Sequence, residues 1–200
     1  MRVVLFLLAL LLASGARPDA AAADTYTLDK DHTEVRFSWD HLGLSRQSGR
    51  FRDLSGTVEF DPDRFEQAKA DIIIRADSIS TGVAALDEHL KTSKDFFDMV
   101  AHPAISFHST SVKRITEKTA EMIGDLSING QVRPVVLNVL WNFTGEHPLS
   151  SINANYTGKY SSGFSATTQI LRSDWGITRT IPYVSDELRI SIETEMHRTP

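Results

Sequence analysis

Apolar and polar residues alternate along most of this chain, the period-two signature of strands with one buried face. After a short strand carrying Tyr26 and Leu28, Val35, Phe37 and Trp39 alternate with Arg36 and Ser38. The segment His41-Leu42-Gly43-Leu44-Ser45 interrupts the pattern. It resumes over residues 49–60, with a change of phase between Phe51 and Leu54 that predicts a bulge. Beyond the turn Asp61-Pro62-Asp63, Ala70, Ile72 and Ile74 mark the next strand. Ile105, Phe107, Ser109 and Ser111 share a face of another. Phe164, Ala166, Thr168 and Ile170 form a later strand, and Leu188, Ile190, Ile192, Thr194 and Met196 the last.

One hairpin is specified down to its register. Asn129-Gly130 is the preferred pair for a two-residue type I′ turn, because both positions need φ > 0. That turn sets Ile128 opposite Gln131, Leu126 opposite Arg133, Gly124 opposite Val135, Met122 opposite Leu137 and Ala120 opposite Val139. Away from the turn every partner on this face is apolar or glycine, whereas Glu121, Asp125, Ser127, Asn138 and Asn142 share the other face. A slip of one residue would scramble that agreement.

Residues 81–98 change period. Val83, Leu86 and Leu90 fall on one side of a helix for which Thr81 is the expected N-cap, and Ser93 opens a second turn carrying Phe96 and Phe97. His102-Pro103 ends this insert. About eight strands and one short helical insert predict an all-β domain, an up-and-down barrel or a sandwich. An eight-stranded barrel leaves an interior just wide enough for side chains or for one slender ligand.

The first residues stand apart. Met1-Arg2, an unbroken apolar run over residues 3–13 and Ala21-Ala22-Ala23 read as a cleaved secretory signal, too short for a comfortable membrane span. Residues 1–23 are the expected leader and 24–200 a single domain, with Arg17 an alternative start if cleavage follows Ala16. No later run reaches the ~20 apolar residues of a spanning helix, so no stable membrane anchor is expected after cleavage. The chain has no cysteine, which excludes disulfides, thiol nucleophiles and cysteine-ligated zinc. A net charge of −5 without a basic stripe disfavours nucleic acid as a partner.

Candidate chemistry is sparse. The histidines (32, 41, 89, 102, 108, 147 and 197) form no HExxH or HxH spacing, so no metal is expected, although donors from distant positions can meet in space. There is no GxSxG elbow and no phosphate-binding glycine loop. Asp87-Glu88-His89 are adjacent on a helix and so point about 100° apart, which is wrong for a dyad. What accumulates instead is aromatic and aliphatic side chains on the inward phase of the strands.

At this point the residues resemble the YceI-like family. Tyr26-x-Leu28-Asp29-x-x-His32, Phe37, His41-Leu42-Gly43, Gly49-x-Phe51, Gly56 and Phe60-Asp61 occur in its order and spacing. So do His89-Leu90, Asp95-Phe96-Phe97-Asp98, Pro103, Phe107, Gly124-x-Leu126-x-x-Asn129-Gly130 and Pro134-Val135-x-Leu137. Arg172-Ser173-Asp174-Trp175-Gly176 and Ser185-Asp186-Glu187 complete the set. Leu86 departs from it, standing where the family often has arginine. The resemblance implies a lipocalin-like, eight-stranded antiparallel barrel in the periplasm, often dimeric. It would bind polyisoprenoids, isoprenoid quinones or fatty-acid derivatives in its interior, with no catalytic activity and no cofactor beyond that lipid.

The expected apolar wall comprises Phe37, Trp39, Leu42, Phe51, Ile72, Ile74, Leu90, Phe96, Phe97, Phe107, Met122, Leu137, Trp141, Phe164, Ile170, Trp175 and Ile190. From the match, His41, Asp87, His89 and Arg172 are the polar candidates at its mouth. The competing expectations are an enzyme using Asp87, His89, His41 and Asp174, and a filled barrel that serves only as a structural or partner-binding unit.

Overall fold

The computed structural model describes residues 23–199. The leader expected at the N-terminus, apart from Ala23, lies outside the described residues.

The strands are β1 (Asp24–Leu28), β2 (Glu34–His41), β3 (Ser45–Phe51), β4 (Leu54–Phe60), β5 (Lys69–Arg75), β6 (Ala104–Arg114), β7 (Thr119–Ile128), β8 (Gln131–Glu146), β9 (Tyr160–Leu171) and β10 (Glu187–Arg198), with one helix, α1 (Ala84–Thr92), between β5 and β6. Both β1 and β2 pair with β10, through Tyr26↔Arg198 and Phe37↔Ile190 among others, so they form one strand broken at residues 29–33. Likewise β3 pairs with β2 while β4 pairs with β1 and β5, which makes a second broken strand at residues 52–53, where the change of phase was expected. Counted this way the sheet is an eight-stranded antiparallel meander, closed where β10 meets the β1/β2 strand. The barrel, not the sandwich, is the outcome; closure leaves few free strand edges.

The β7–β8 hairpin has the register its turn dictates, from Ile128↔Gln131 to Ala120↔Val139. Asn129 and Gly130 carry φ of 52° and 70°. Gly124 serves a second purpose: a Cβ there would lie 2.4 Å from the Phe107 ring, so its absence lets that ring lie across the neighbouring strand. The regular alternation expected along β6 fails at a bulge between Ser109 and Ser111. Ser109 turns its hydroxyl to the Ala70 amide at 2.8 Å, and the inward phase passes to Val112 in place of Ser111.

The helix begins later than expected. Its N-cap is Val83, not Thr81. Asp87 reaches back from the first turn and accepts from both the amide and the hydroxyl of Thr81 at 2.6 Å, holding the chain that enters the helix. Leu86 packs against the core, and Leu90 is buried in it. Ser93 does cap the following turn, its hydroxyl accepting from the Asp95 amide at 3.2 Å.

Two apolar clusters pack toward the barrel's two ends. At one end a short turn over Pro62–Gln67 drops Phe65 against Phe60, with ring centroids 5.3 Å apart, beside Trp141, Phe164 and Tyr26. At the other, Phe96, Phe97 and Leu90 of the insert join Trp175 and Ile177 of the β9–β10 connection.

Tyr26 is fully buried and its hydroxyl has no hydrogen-bond partner among the described residues. Burial first, then the nearby Asp24 and Tyr160, push that phenol up to about 12, against the opposing pull of Arg198. An unsatisfied buried hydroxyl costs about 1–3 kcal/mol, so Tyr26→Phe is expected to stabilise the fold by about 1 kcal/mol and raise Tm by roughly 2–4 °C. Because the folded state favours the neutral phenol, that preference is fully present below the unfolded value of 10.0 and is lost as pH rises toward 12. Urea melts at neutral and strongly alkaline pH should therefore show the advantage of the Phe variant widening with pH.

Candidate functional site

The inward positions of all eight strands converge on one cavity. Its volume is about 220 Å³, far beyond the ~10–15 Å³ that a single water needs. It exists because several inward positions carry small residues: Ala70, Ala120, Ala166 and Val139 all line it. Among the described residues the only polar side chains in the wall are Thr33, Thr168 and Thr194, and two of these satisfy each other, with Thr33 Oγ1 3.0 Å from Thr194 Oγ1. Such a wall can desolvate a hydrocarbon.

Eleven of the expected wall residues line this cavity: Phe37, Phe51, Ile72, Ile74, Phe97, Phe107, Met122, Leu137, Phe164, Ile170 and Ile190. The other six do not. Leu42 sits at the tip of the β2–β3 hairpin with φ of 57° and is 50% exposed. Trp39 continues the inward face of β2 beyond the cavity and stacks on Phe37, centroids 5.7 Å apart. Trp141 lies behind Phe60 and Phe65 at the closed end. Leu90 and Phe96 belong to the insert's own packing. Trp175, 2% exposed, plugs the wall from outside the cavity, its indole N–H donating to the Leu126 carbonyl at 3.1 Å.

The rings form a continuous path. Trp39 stacks on Phe37, Phe37 lies 5.5 Å from Phe51, and Phe51 meets Phe97 edge-on at 5.9 Å. The path runs from the β2–β3 hairpin to the insert. The insert is tied down there by Asn129, whose side-chain amide donates to the Phe96 carbonyl, and by an exposed pair between Arg179 and Asp95 at 2.8 Å.

The polar candidates do not assemble. Arg172 is 5% exposed and spends its guanidinium on backbone carbonyls: Nε on Ser185, Nη1 on Ile177 and Arg179, and Nη2 on Val184, all at 2.9–3.0 Å. Burial pulls its pKa below the usual arginine value, with the charge of Asp186 opposing. Asp87 is occupied by Thr81. His89 is exposed and rests its ring against Phe96 at 5.2 Å, and His41 forms a bridge with Val184 through its backbone. Asp174 is exposed. None of these five lines the cavity, so the four-residue catalytic constellation does not form around it.

The alternation missed part of the wall. Phe65 reaches the cavity from a turn, where no strand period applies, and Ala120, Ala166 and Val139 are too small to have drawn notice as ligand contacts. Their inward phase in mid-strand was the available signal.

Fold and site together define a closed antiparallel barrel with a hydrophobic ligand cavity. The chain belongs to the YceI-like family, whose domain signature matches residues 26–196. A UPF0312 protein of Pseudomonas syringae pv. tomato is 37% identical over 169 residues, spanning 84% of this chain and 81% of that one. Another from Ectopseudomonas mendocina is 36% identical over 191 residues, spanning 94% and 95%. Among solved structures, a Campylobacter jejuni YCEI protein superposes with a TM-score of 0.69 at 27% identity, covering 80% of this chain and 90% of its own. Two further barrels share the fold: BcnA of Burkholderia cenocepacia (TM-score 0.73, 21% identity, 84% and 98% covered) and a polyisoprenoid binding domain from Saccharophagus degradans (0.59, 12%, 88% and 99%). Among the described residues no helix is long and apolar enough to cross a membrane.

Proposed function

We propose that this protein is a periplasmic carrier that holds a long-chain lipid of the isoprenoid or fatty-acyl type with its tail in the barrel. The observation that supports this reading most directly is the cavity: space at the centre of a closed barrel, walled by hydrocarbon and, among the described residues, relieved only by threonines. Each CH₂ moved from water into such a wall contributes about 0.8 kcal/mol, so ten carbons supply roughly 8 kcal/mol before several kcal/mol of lost ligand freedom are subtracted. Tail burial alone thus gives useful affinity, and polar recognition is left to the mouth. His41 and His89, whose side chains make no hydrogen bond among the described residues, are the candidates for that role. The name of the Saccharophagus degradans domain is in keeping with an isoprenoid occupant, and the leader pattern supports export.

The deciding experiment is native mass spectrometry with solvent extraction of protein expressed through its own leader in a Gram-negative host. Recovery of an isoprenoid or acyl species at about one per barrel supports the carrier. Protein that emerges without any lipid, and takes up none from an isoprenoid or acyl donor, overturns it.

A further inference from the structure

The barrel's closing seam carries a cluster that the lipid cavity does not use. At residues 29–33 the β1/β2 strand breaks, and its partner β10 continues past the gap through Thr194 and Glu195. Inside the wall the gap is closed by Thr33 and Thr194. On the outside, Asp29, His32 and Glu195 gather so that one ligand atom from each lies within 4.8 Å of the others. Asp29 Oδ2 is 3.1 Å from His32 Nδ1, and His32 Nδ1 is 3.9 Å from Glu195 Oε2.

From this arrangement we propose a divalent metal site at the seam, with Asp29, His32 and Glu195 as ligands and Zn²⁺ as the ion whose chemistry it fits. Zinc bonds of about 2.0–2.2 Å at tetrahedral angles place neighbouring donors roughly 3.3 Å apart. The Asp29–His32 separation is close to one edge of such a polyhedron, and the half-exposed Glu195 side chain closes the 3.9 Å gap to His32 by moving more than half an ångström. Two carboxylates stand beside one imidazole, so the cluster offers net negative charge to a cation that displaces the proton shared by His32 Nδ1 and Asp29. The imidazole selects a borderline ion over the hard, oxygen-seeking Mg²⁺ and Ca²⁺.

The surroundings hold the donors in place. The Asp29 amide donates to the Glu195 carbonyl at 2.9 Å, locking the two strands together at the site. The Asp31 amide donates to Asp29 Oδ1 at 2.9 Å, which leaves Oδ2 turned toward His32. His197 is a positioning residue. Its Nε2 lies 3.2 Å from Asp29 Oδ2, and its Nδ1 is 2.9 Å from the Ser161 hydroxyl, the outer-sphere arrangement that orients ligating side chains. Sequence spacing hid the site because its donors come from the strand break and from β10, far apart in the chain.

The alternative is a purely structural cluster, a carboxylate hydrogen-bonded by two imidazoles, which has no affinity for metal. Calorimetric titration of the EDTA-treated full-length mature protein with Zn²⁺ separates the two. The expected result is one ion per chain, a Tm that climbs with zinc concentration and falls back on chelation, and no such response to Mg²⁺. His32→Ala and Glu195→Gln, at side chains 48% and 53% exposed, are each expected to weaken zinc binding at least tenfold with the circular dichroism spectrum unchanged. His108→Ala, at another exposed His–carboxylate pair, is expected to leave it unchanged. No zinc-dependent shift, or binding of equal strength in Glu195→Gln, overturns the proposal. Should His32→Ala fail to fold, Glu195→Gln alone decides. Lipid content plays no part in the readout, so an empty cavity would not affect the outcome.

Discussion

Arg172→Ala is expected to destabilise this protein by about 4 kcal/mol and lower its Tm by roughly 10 °C, while leaving any discrimination among lipid head groups to other residues. The guanidinium donates to four carbonyls within residues 177–185 and so acts as the core of a loop that has little hydrophobic core of its own. Hydrogen bonds to a charged donor contribute about 1.5–3 kcal/mol each, and water entering the emptied site recovers part of that. The damage would spread, because this loop carries Trp175 and Ile177 into the apolar cluster and Arg179 toward Asp95 of the insert. Arg172→Lys is expected to recover less than half of the loss, since an ammonium cannot span carbonyls arranged for a planar fork. Chemical denaturation of the two variants measures this directly. A variant as stable as the parent but altered in lipid selectivity would return Arg172 to the mouth, where the sequence motif alone had put it.

The contrast between Arg172 and the strand residues shows what the chain discloses in advance. Period-two alternation identifies which side of a strand is inward, and Phe37, Phe107, Met122, Leu137 and Ile190 duly point into the cavity. It gives no height along the barrel axis. Trp39 and Trp141 have the inward phase and still miss the cavity, one beyond its open end and the other packed at its closed end. Register was legible at β7–β8 because Asn129-Gly130 fixes the phase with two residues. It was illegible at Ser109 to Ser111, where two polar residues at the inward spacing conceal the extra residue of a bulge. Loop residues were least legible. Leu42, Leu90 and Phe96 are apolar and near the mouth in sequence, but backbone paths with no periodicity direct them to a hairpin tip and to the insert's packing. Arg172 and Asp87 are charged and so look available, yet their partners are backbone groups and a threonine that no motif encodes.

Small residues carry the other large effect. Ala166 sits mid-strand on β9, paired with Val139 and Ile192, and its side chain borders the cavity. Ala166→Phe directs a ring into that space. Overpacking a well-filled core costs about 1–3 kcal/mol, but here the ring enters a void, so stability is expected to change by less than about 1 kcal/mol. The ligand bears the loss instead. Excluding about three CH₂ groups of a lipid tail removes roughly 2.4 kcal/mol, which corresponds to about a 50-fold rise in Kd. A fluorescent polyene or acyl probe titrated into parent and variant reads this out, alongside the lipid recovered by extraction. Ala166→Val, which adds two carbons, is expected to fall between them, because the loss should scale with the volume taken from the tail. If the Phe variant folds and binds the probe as tightly as the parent, the lipid tail does not lie in the barrel, and the apolar surface that captures it must be sought elsewhere on the molecule.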